Sequence, residues 1–279
     1  VHTRASIDEL LQRNGLAPSR ALGQNFVADA NTVRRIARLA NVGPGDRVIE
    51  IGAGFGSLTL ALAETGATII AVEVDRGVVP VLREVLADHD NVTVVEGDAL
   101  RLDWAALLGG HDPTAAARPW VLVANLPYNV ATPLVCDLLD GVPQIERMLV
   151  MVQREVAERF CAEPRTPAYG AVTVKISYWA TAKVAGIVPA SVFVPRPKVE
   201  SALADIRRRP APAVSAHPDD LFLLVRTAFG QRRKMLRGSL RDLVTADMFH
   251  AAGIDAQRRP EELDVTEWGA LTNAWRAAP

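Results

Sequence analysis

A chain of 279 residues, 49% hydrophobic and 23% charged, has the length and apolar content of one large globular domain or two smaller ones. No apolar run is long enough to span a bilayer, no secretion-signal pattern opens the chain, and two cysteines are too few for a disulfide framework or a zinc cage. A formal net charge of -1 gives no general attraction to nucleic acid, so such a role must come from local charge distribution. Reduced Cys136 and Cys161 place the protein in the cytoplasm, away from membranes, and five scattered histidines without ligand spacing argue against a metal.

Residues 1–24 are polar and interrupted by Gly15, Pro18 and Gly23, with a short helix predicted over 6–14: Ser6 as N-cap and Glu9 three positions on. After Leu22-Gly23-Gln24-Asn25-Phe26-Val27 comes a helix over 30–39, with Val33, Ile36, Ala37 and Ala40 on one face. A strand over 47–51 runs directly into Gly52-Ala53-Gly54-Phe55-Gly56-Ser57 and a helix that Gly66 ends. A strand at 68–74, a helix at 78–86 and a strand at 92–95 continue the alternation that marks a parallel sheet with crossovers. Residues 105–119, with Gly109, Gly110, Pro113 and Pro119, read as a surface excursion.

The next strand, Trp120-Val121-Leu122-Val123-Ala124, stops at Asn125-Leu126-Pro127-Tyr128, where Pro127 has no donor to continue a ladder. A helix to about 139, a strand at 148–152 and a helix carrying Glu155, Val156 and Phe160 follow, then strands over 172–180 and 202–206. Between those two strands, Val192-Phe193-Val194-Pro195-Arg196-Pro197-Lys198 is too rich in proline for a helix or strand interior. Composition shifts at Arg207-Arg208-Arg209-Pro210, dividing an α/β domain over 1–209 from a small all-helical domain over 210–279, with helices at 219–229 and 232–243.

A strand entering Gly-Ala-Gly-Phe-Gly and then a helix lets a ligand approach the backbone closely. Glu73, about twenty residues beyond the glycines, has the offset of an acid that accepts two ribose hydroxyls, and Asp98 ends the next strand, where it could accept from an adenine amine. These features indicate adenosine binding without choosing between a nicotinamide and S-adenosylmethionine. Residues 125–128 make that choice. The Asn125 side-chain oxygen and the Leu126 carbonyl can each accept a hydrogen from an exocyclic amine, localising its lone pair, while Tyr128 stacks on the base. The reading is methyl transfer to a base amine, with positioning as most of the catalysis.

On these residues the chain resembles the ribosomal RNA adenine dimethyltransferases, in their bacterial small-subunit branch rather than the Erm branch. The resemblance rests on Leu22-Gly23-Gln24-Asn25-Phe26, Glu50-Ile51-Gly52-Ala53-Gly54, Asn125-Leu126-Pro127-Tyr128-Asn129 and the stretch from Phe193 to Ala202. Phe229-Gly230-Gln231-Arg232-Arg233-Lys234 and Arg259-Pro260-Glu261-Glu262-Leu263 extend it through the tail. Where the family reads Ile-Ser-Thr after Asn129, this chain has Val130-Ala131-Thr132.

The resemblance implies a Rossmann-like class I methyltransferase sheet with a small helical domain. It also implies an S-adenosylmethionine-dependent monomer that dimethylates two adjacent adenosines in the 3′-terminal hairpin of 16S rRNA, in the 30S subunit or its precursor. Loss of such enzymes confers kasugamycin resistance. Carried over by position, Gln24, Asn25, Val27, Gly52, Gly54, Glu73, Asp98, Ala99 and Asn125 would hold S-adenosylmethionine. Asn125, Leu126, Pro127 and Tyr128 would handle the adenine, with Phe193 as another wall.

Arg226, Arg232, Arg233, Lys234 and Arg237, in a stretch without Asp or Glu, would contact RNA phosphates. The competing readings are an Erm-like 23S rRNA methylase, a non-catalytic assembly factor of the same fold, and a nicotinamide dehydrogenase. The last lacks the third glycine of its motif.

Overall fold

The structure, a computed structural model, describes residues 1–109 and 119–277. The chain packs as two units, one of residues 1–157 and 183–207, the other of 158–182 and the chain from Arg208 onward.

In the first unit, helix α1 (Arg4–Arg13) leads to β1 (Phe26–Val27) and α2 (Ala30–Ala40). Alternation follows: β2 (Arg47–Ile51), α3 (Ser57–Ala63), β3 (Thr68–Glu73), α4 (Val79–Val85), β4 (Val92–Glu96), α5 (Trp104–Gly109), β5 (Trp120–Asn125), α6 (Ala131–Gly141) and β6 (Ile145–Gln153). After α7 (Arg154–Phe160) and α8 (Ala171–Trp179) come β7 (Ala180–Val188), β8 (Phe193–Val194) and β9 (Ser201–Arg208). One sheet runs β4-β3-β2-β5-β6-β9-β7, while β1 and β8 form a separate antiparallel pair. From β4 to β6 all neighbours are parallel, and β9 is antiparallel to β6.

Strands β2, β3 and β4 step outward in one direction, β5 and β6 in the other, so the order reverses between β2 and β5. This is a doubly wound, Rossmann-like arrangement, and ligands in such sheets bind at the carboxyl ends of the strands flanking that reversal. Val48, Ile69, Val123 and Leu149 of the sheet are buried with Val33 and Ile36 of α2 and Leu58 and Leu62 of α3. That core holds the ends of β2 and β5 in place.

The second unit has its own core, in which Tyr169, Val174, Tyr178, Leu221, Phe222, Leu236, Trp268 and Leu271 are buried together. Its remaining helices are α9 (Pro218–Phe229), α10 (Leu236–Ser239), α11 (Ala246–Ala251) and α12 (Val265–Ala277).

Four expectations change. Helix α1 starts one turn earlier than predicted: Thr3 caps it, and Ser6 is the reciprocal member of the capping box, with Ser6 Oγ accepting from Thr3 N at 2.7 Å. The predicted strand over 172–180 is helix α8, because Val174 and Tyr178, four apart, are both drawn into the second unit's core. That packing also puts residues 158–182 in the second unit, although the sequence places them in the first. The helix predicted over 232–243 shrinks to the four residues of α10, since the Leu236 and Arg237 amides donate to the carbonyls of Arg258 and Ala256 instead. Of the predicted surface excursion, residues 110–118 lie outside the described residues. Among the described residues no helix is long and apolar enough to cross a membrane.

Candidate active site

At the end of β2 the chain turns through Gly52 (φ 75°) and Gly54 (φ 57°), a backbone region that side chains other than glycine rarely adopt. A Cβ on Gly54 would also stand 3.0 Å from two Phe26 ring atoms. The turn is clamped from β3: Glu73 Oε2 accepts from Gly54 N at 2.7 Å, and Oε1 accepts from Val74 N and Asp75 N at 2.9 Å each. Those three donors occupy most of the roughly four acceptor positions of a carboxylate. The sequence suggests two ribose hydroxyls on Glu73; the structure leaves it about one free acceptor direction. Burial pushes the Glu73 pKa up, and the three amides pull it back.

Glu50, inside β2, lines the same cavity yet is only 2% exposed, and its Oε2 has no hydrogen-bond partner among the described residues. Burial pushes its pKa up to about 8, with the Thr59 hydroxyl partly offsetting the shift and the Glu73 charge adding to it. That oxygen, buried on a cavity wall and unpartnered among the described residues, is suited to a cationic or hydrogen-donating ligand group. Glu50 has no role of its own in the sequence reading. A charged residue between Ile49 and Ile51 in a central strand is the signal that could have marked it.

Residues 19–27 close another side of the cavity. The Gln24 carboxamide accepts from Ser19 N at 2.7 Å and donates to Asp75 Oδ2 at 2.8 Å. The Asn25 carbonyl accepts from Asn125 Nδ2 at 3.0 Å. This last bond orients the Asn125 amide at the cleft it lines, and its Oδ1 takes no hydrogen bond among the described residues. Leu126 N donates to the Met151 carbonyl at 3.0 Å, and the Leu126 carbonyl takes no hydrogen bond among the described residues. The Pro127 carbonyl accepts from Val130 N and Ala131 N at 3.2 and 3.1 Å, which starts α6. Tyr128 is half-buried, its hydroxyl 2.8 Å from Ser201 Oγ on β9. Burial pushes the Tyr128 phenol up and the Ser201 bond partly offsets it.

A neighbouring cavity shares Leu22, Gly52, Val74 and Pro127 with the first and adds Asp98, Ala99, Leu100 and Leu134. Its mostly apolar lining has one acid at the rim. Asp98 Oδ1 accepts from Leu100 N at 3.0 Å, and its Oδ2 lies 3.6 Å from Arg101 Nε. Gln24, Asn25, Val27, Gly52, Gly54, Glu73, Asp98, Ala99 and residues 125–128 therefore all border these two adjoining cavities.

Phe193 does not. It is fully buried among Val27, Val33, Val188 and Leu203 in the sheet's core. Side chains in a strand alternate between faces. The paired Val27 and Phe193 point into that core, while Phe26 and Val194 lie on the other face with Phe55. Besides Tyr128, the aromatic residues lining the cleft are thus Phe26 and Phe55, with ring centroids 4.7 Å apart, neither of them given a role in the sequence reading.

In the second unit, Arg226 sits in the last turn of α9, and Arg233 and Lys234 in the turn before α10, which carries Arg237. All four are exposed and make no side-chain hydrogen bond or ion pair among the described residues. Arg232 differs: it donates to the Pro167 carbonyl at 3.2 Å and pairs with Glu261 at 3.7 Å.

A family model for ribosomal RNA adenine dimethylase matches residues 17–275. The chain is 45% identical over 277 residues to a ribosomal RNA small subunit methyltransferase A of Phenylobacterium zucineum, covering 99% of this chain and 95% of the relative. The counterpart of Thermobifida fusca is 43% identical over 279 residues, covering 96% and 94%. Among solved structures, the 23S rRNA methyltransferase ErmE aligns with a TM-score of 0.66 at 26% identity, covering 90% of this chain and 100% of that one. The glycine turn, the acids of β2 and β3 and the Asn-Leu-Pro-Tyr strand end thus lie within a match spanning nearly the whole chain, which belongs to the ribosomal RNA adenine dimethylase family.

Proposed function

We propose that this protein dimethylates the exocyclic amines of two adjacent adenosines in the 3′-terminal hairpin of 16S rRNA, on 30S particles, as a cytoplasmic monomer using S-adenosylmethionine. The observation that carries the reading is the pair of open acceptors at one strand end. Asn125 Oδ1 is left open by the bond its amide makes to Asn25, and the Leu126 carbonyl beside it is unengaged. An adenine amine has two hydrogens to donate, and accepting both turns its nitrogen lone pair toward the donor side of the cleft.

S-adenosylmethionine supplies an electrophilic methyl on a sulfonium. The residues present fit it. The orphaned Glu50 Oε2 suits the amino-acid ammonium, Glu73 retains an acceptor for the ribose, and Asp98 rims the apolar cavity, which is suited to adenine. Gly54 leaves room where a Cβ would crowd Phe26, and Gly52 holds a φ of 75° that the turn requires. On the other side, Tyr128 presents its ring to the target base, with its hydroxyl held by Ser201. Such stacking contributes roughly 1–3 kcal/mol per base.

No base of high pKa need stand beside the amine. The chain's task is alignment, and the methylated amine becomes acidic enough to lose its proton to water. A neutral Asn125 also suits repeated transfer, because Oδ1 can accept from an amine with two hydrogens and then with one. Arg226, Arg233, Lys234 and Arg237 provide phosphate contacts and a salt-dependent affinity, in keeping with the neutral total charge.

The ErmE likeness supports a second reading, a large-subunit rRNA substrate. The higher identity of the small-subunit relatives favours the first. Tritiated methyl transfer to unmethylated 30S particles and, in parallel, to unmethylated 23S rRNA, followed by nucleoside analysis, tests both. Dimethyladenosine in 16S rRNA is the expected product, and labelling of 23S rRNA alone would overturn the assignment.

A further inference from the structure

Resting on that reading, we infer that the Pro195–Glu200 loop is a second phosphate-binding element, in which Arg196 and Lys198 grip the backbone flanking the splayed adenosine. Both ends of the loop are fixed to residues of the cleft. At one end Val194 pairs with Phe26, whose ring is a cleft wall. At the other, Ser201 holds the hydroxyl of Tyr128. With at most about 3.6 Å of chain per residue, the Arg196 Cα lies within about 7 Å of that of Val194, and the Lys198 Cα within about 11 Å of that of Ser201. Pro195 and Pro197 fix φ on either side of Arg196 and offer no backbone donor, so the segment neither coils into a helix nor joins a strand.

The charge on this loop is not cancelled locally. Its acid, Glu200, is taken by Arg154, with Nη1 to Oε2 at 3.1 Å, and the Arg154 amide donates to the Glu200 carbonyl at 3.0 Å. Arg196 and Lys198 are exposed and make no side-chain hydrogen bond or ion pair among the described residues. Cations held beside a cleft that admits a flipped base meet the phosphates on either side of that nucleotide, since extrusion carries its own backbone to the rim. A polyanion with regularly spaced charges fits them better than a neutral partner.

The test measures kcat/KM for methylation of unmethylated 30S particles by the full chain between 50 and 200 mM salt. It compares wild type, the double variant Arg196→Gln/Lys198→Gln, and Arg83→Gln, which removes an equally exposed charge on α4. Removing one cation–phosphate pair should flatten the slope of log(kcat/KM) against log salt by roughly 0.7–0.9, so the double variant should flatten it by up to about twice that. Its KM for the particles should rise, while its calorimetric affinity for S-adenosylmethionine should match wild type. Parallel slopes for the double variant and an active wild type would overturn the loop's role alone. A flattening by Arg83→Gln of about half that of the double variant, or more, would overturn it too, by showing an effect of total charge. If wild type transfers no methyl to the particles, the proposed function fails and this inference with it.

Discussion

Glu50→Gln should remove a pH dependence that wild type carries in its fold and in its cofactor binding. The Glu50 carboxyl is 2% exposed, and burial, with Glu73 adding to it, takes its pKa from 4.5 to about 8. Between those values the native chain holds a proton that the unfolded chain has already released. Stability contributed by the protonated acid is therefore full below about pH 4.5, drains as pH rises, and is lost above about 8. At 1.36 kcal/mol per unit, the interval from 4.5 to about 8 sets a ceiling of about 5 kcal/mol. For a unit of this size that is roughly 10–20 °C in melting temperature. Glutamine does not titrate, so the variant should gain on wild type from pH 5 to about 8 and level off above that, in thermal melts at constant ionic strength. Glu73, also shifted up, is present in both proteins, so its own burial is common to the comparison. Binding supplies the second readout. An ammonium placed against Oε2 would ionise Glu50, so calorimetry in two buffers of different ionisation enthalpy should show about 0.9 proton released by wild type at pH 7 and none from this site in the variant. A melting difference that stays flat with pH, or equal proton release by both proteins, would refute the reasoning.

Gly54→Ala forces a side chain onto a φ of 57° and a Cβ within 3.0 Å of the Phe26 ring. It should cost about 1–3 kcal/mol in chemical denaturation and weaken S-adenosylmethionine binding in calorimetry. Asn125→Asp replaces the donor to the Asn25 carbonyl with an acceptor, so two oxygens face each other where a 3.0 Å bond stood. Single-turnover methyl transfer should fall by roughly 10²-fold, the penalty of misplacing a group that acts by alignment, and dimethyladenosine at the wild-type rate would show that the neutral amide is not needed. Ser201→Ala frees the Tyr128 hydroxyl from its 2.8 Å partner and should slow transfer by up to about tenfold. Combined with Tyr128→Phe it should cost little more than either change alone, because both remove one bond, and fully additive losses would separate the two residues.

What could be read from the sequence and what could not divide along the range of the interactions involved. The β2 turn was readable because its cause is local: a strand, glycines for the tight path, a helix, and Glu73 at a fixed offset. The stop at Pro127 was readable for the same reason. Phe193 was not, since its direction depends on the parity of a two-residue ladder with Phe26 and Val27, far away in the chain. A slip of one residue would have put Phe193 in the cleft and Phe26 in the core. The helix α8 was hidden by β-branched residues whose helical spacing matters only once the second unit's core exists to receive Val174 and Tyr178. Arg232 looked unopposed because its partner, Glu261, is remote in sequence. Glu50 was visible as a charge inside an apolar strand, but its missing partner is a property of everything packed around it. A local motif shows where a ligand can sit; a buried acid with an unsatisfied oxygen indicates what the ligand must bring. For that reason the pH dependence of Glu50 tests the site more directly than deletion of any motif residue.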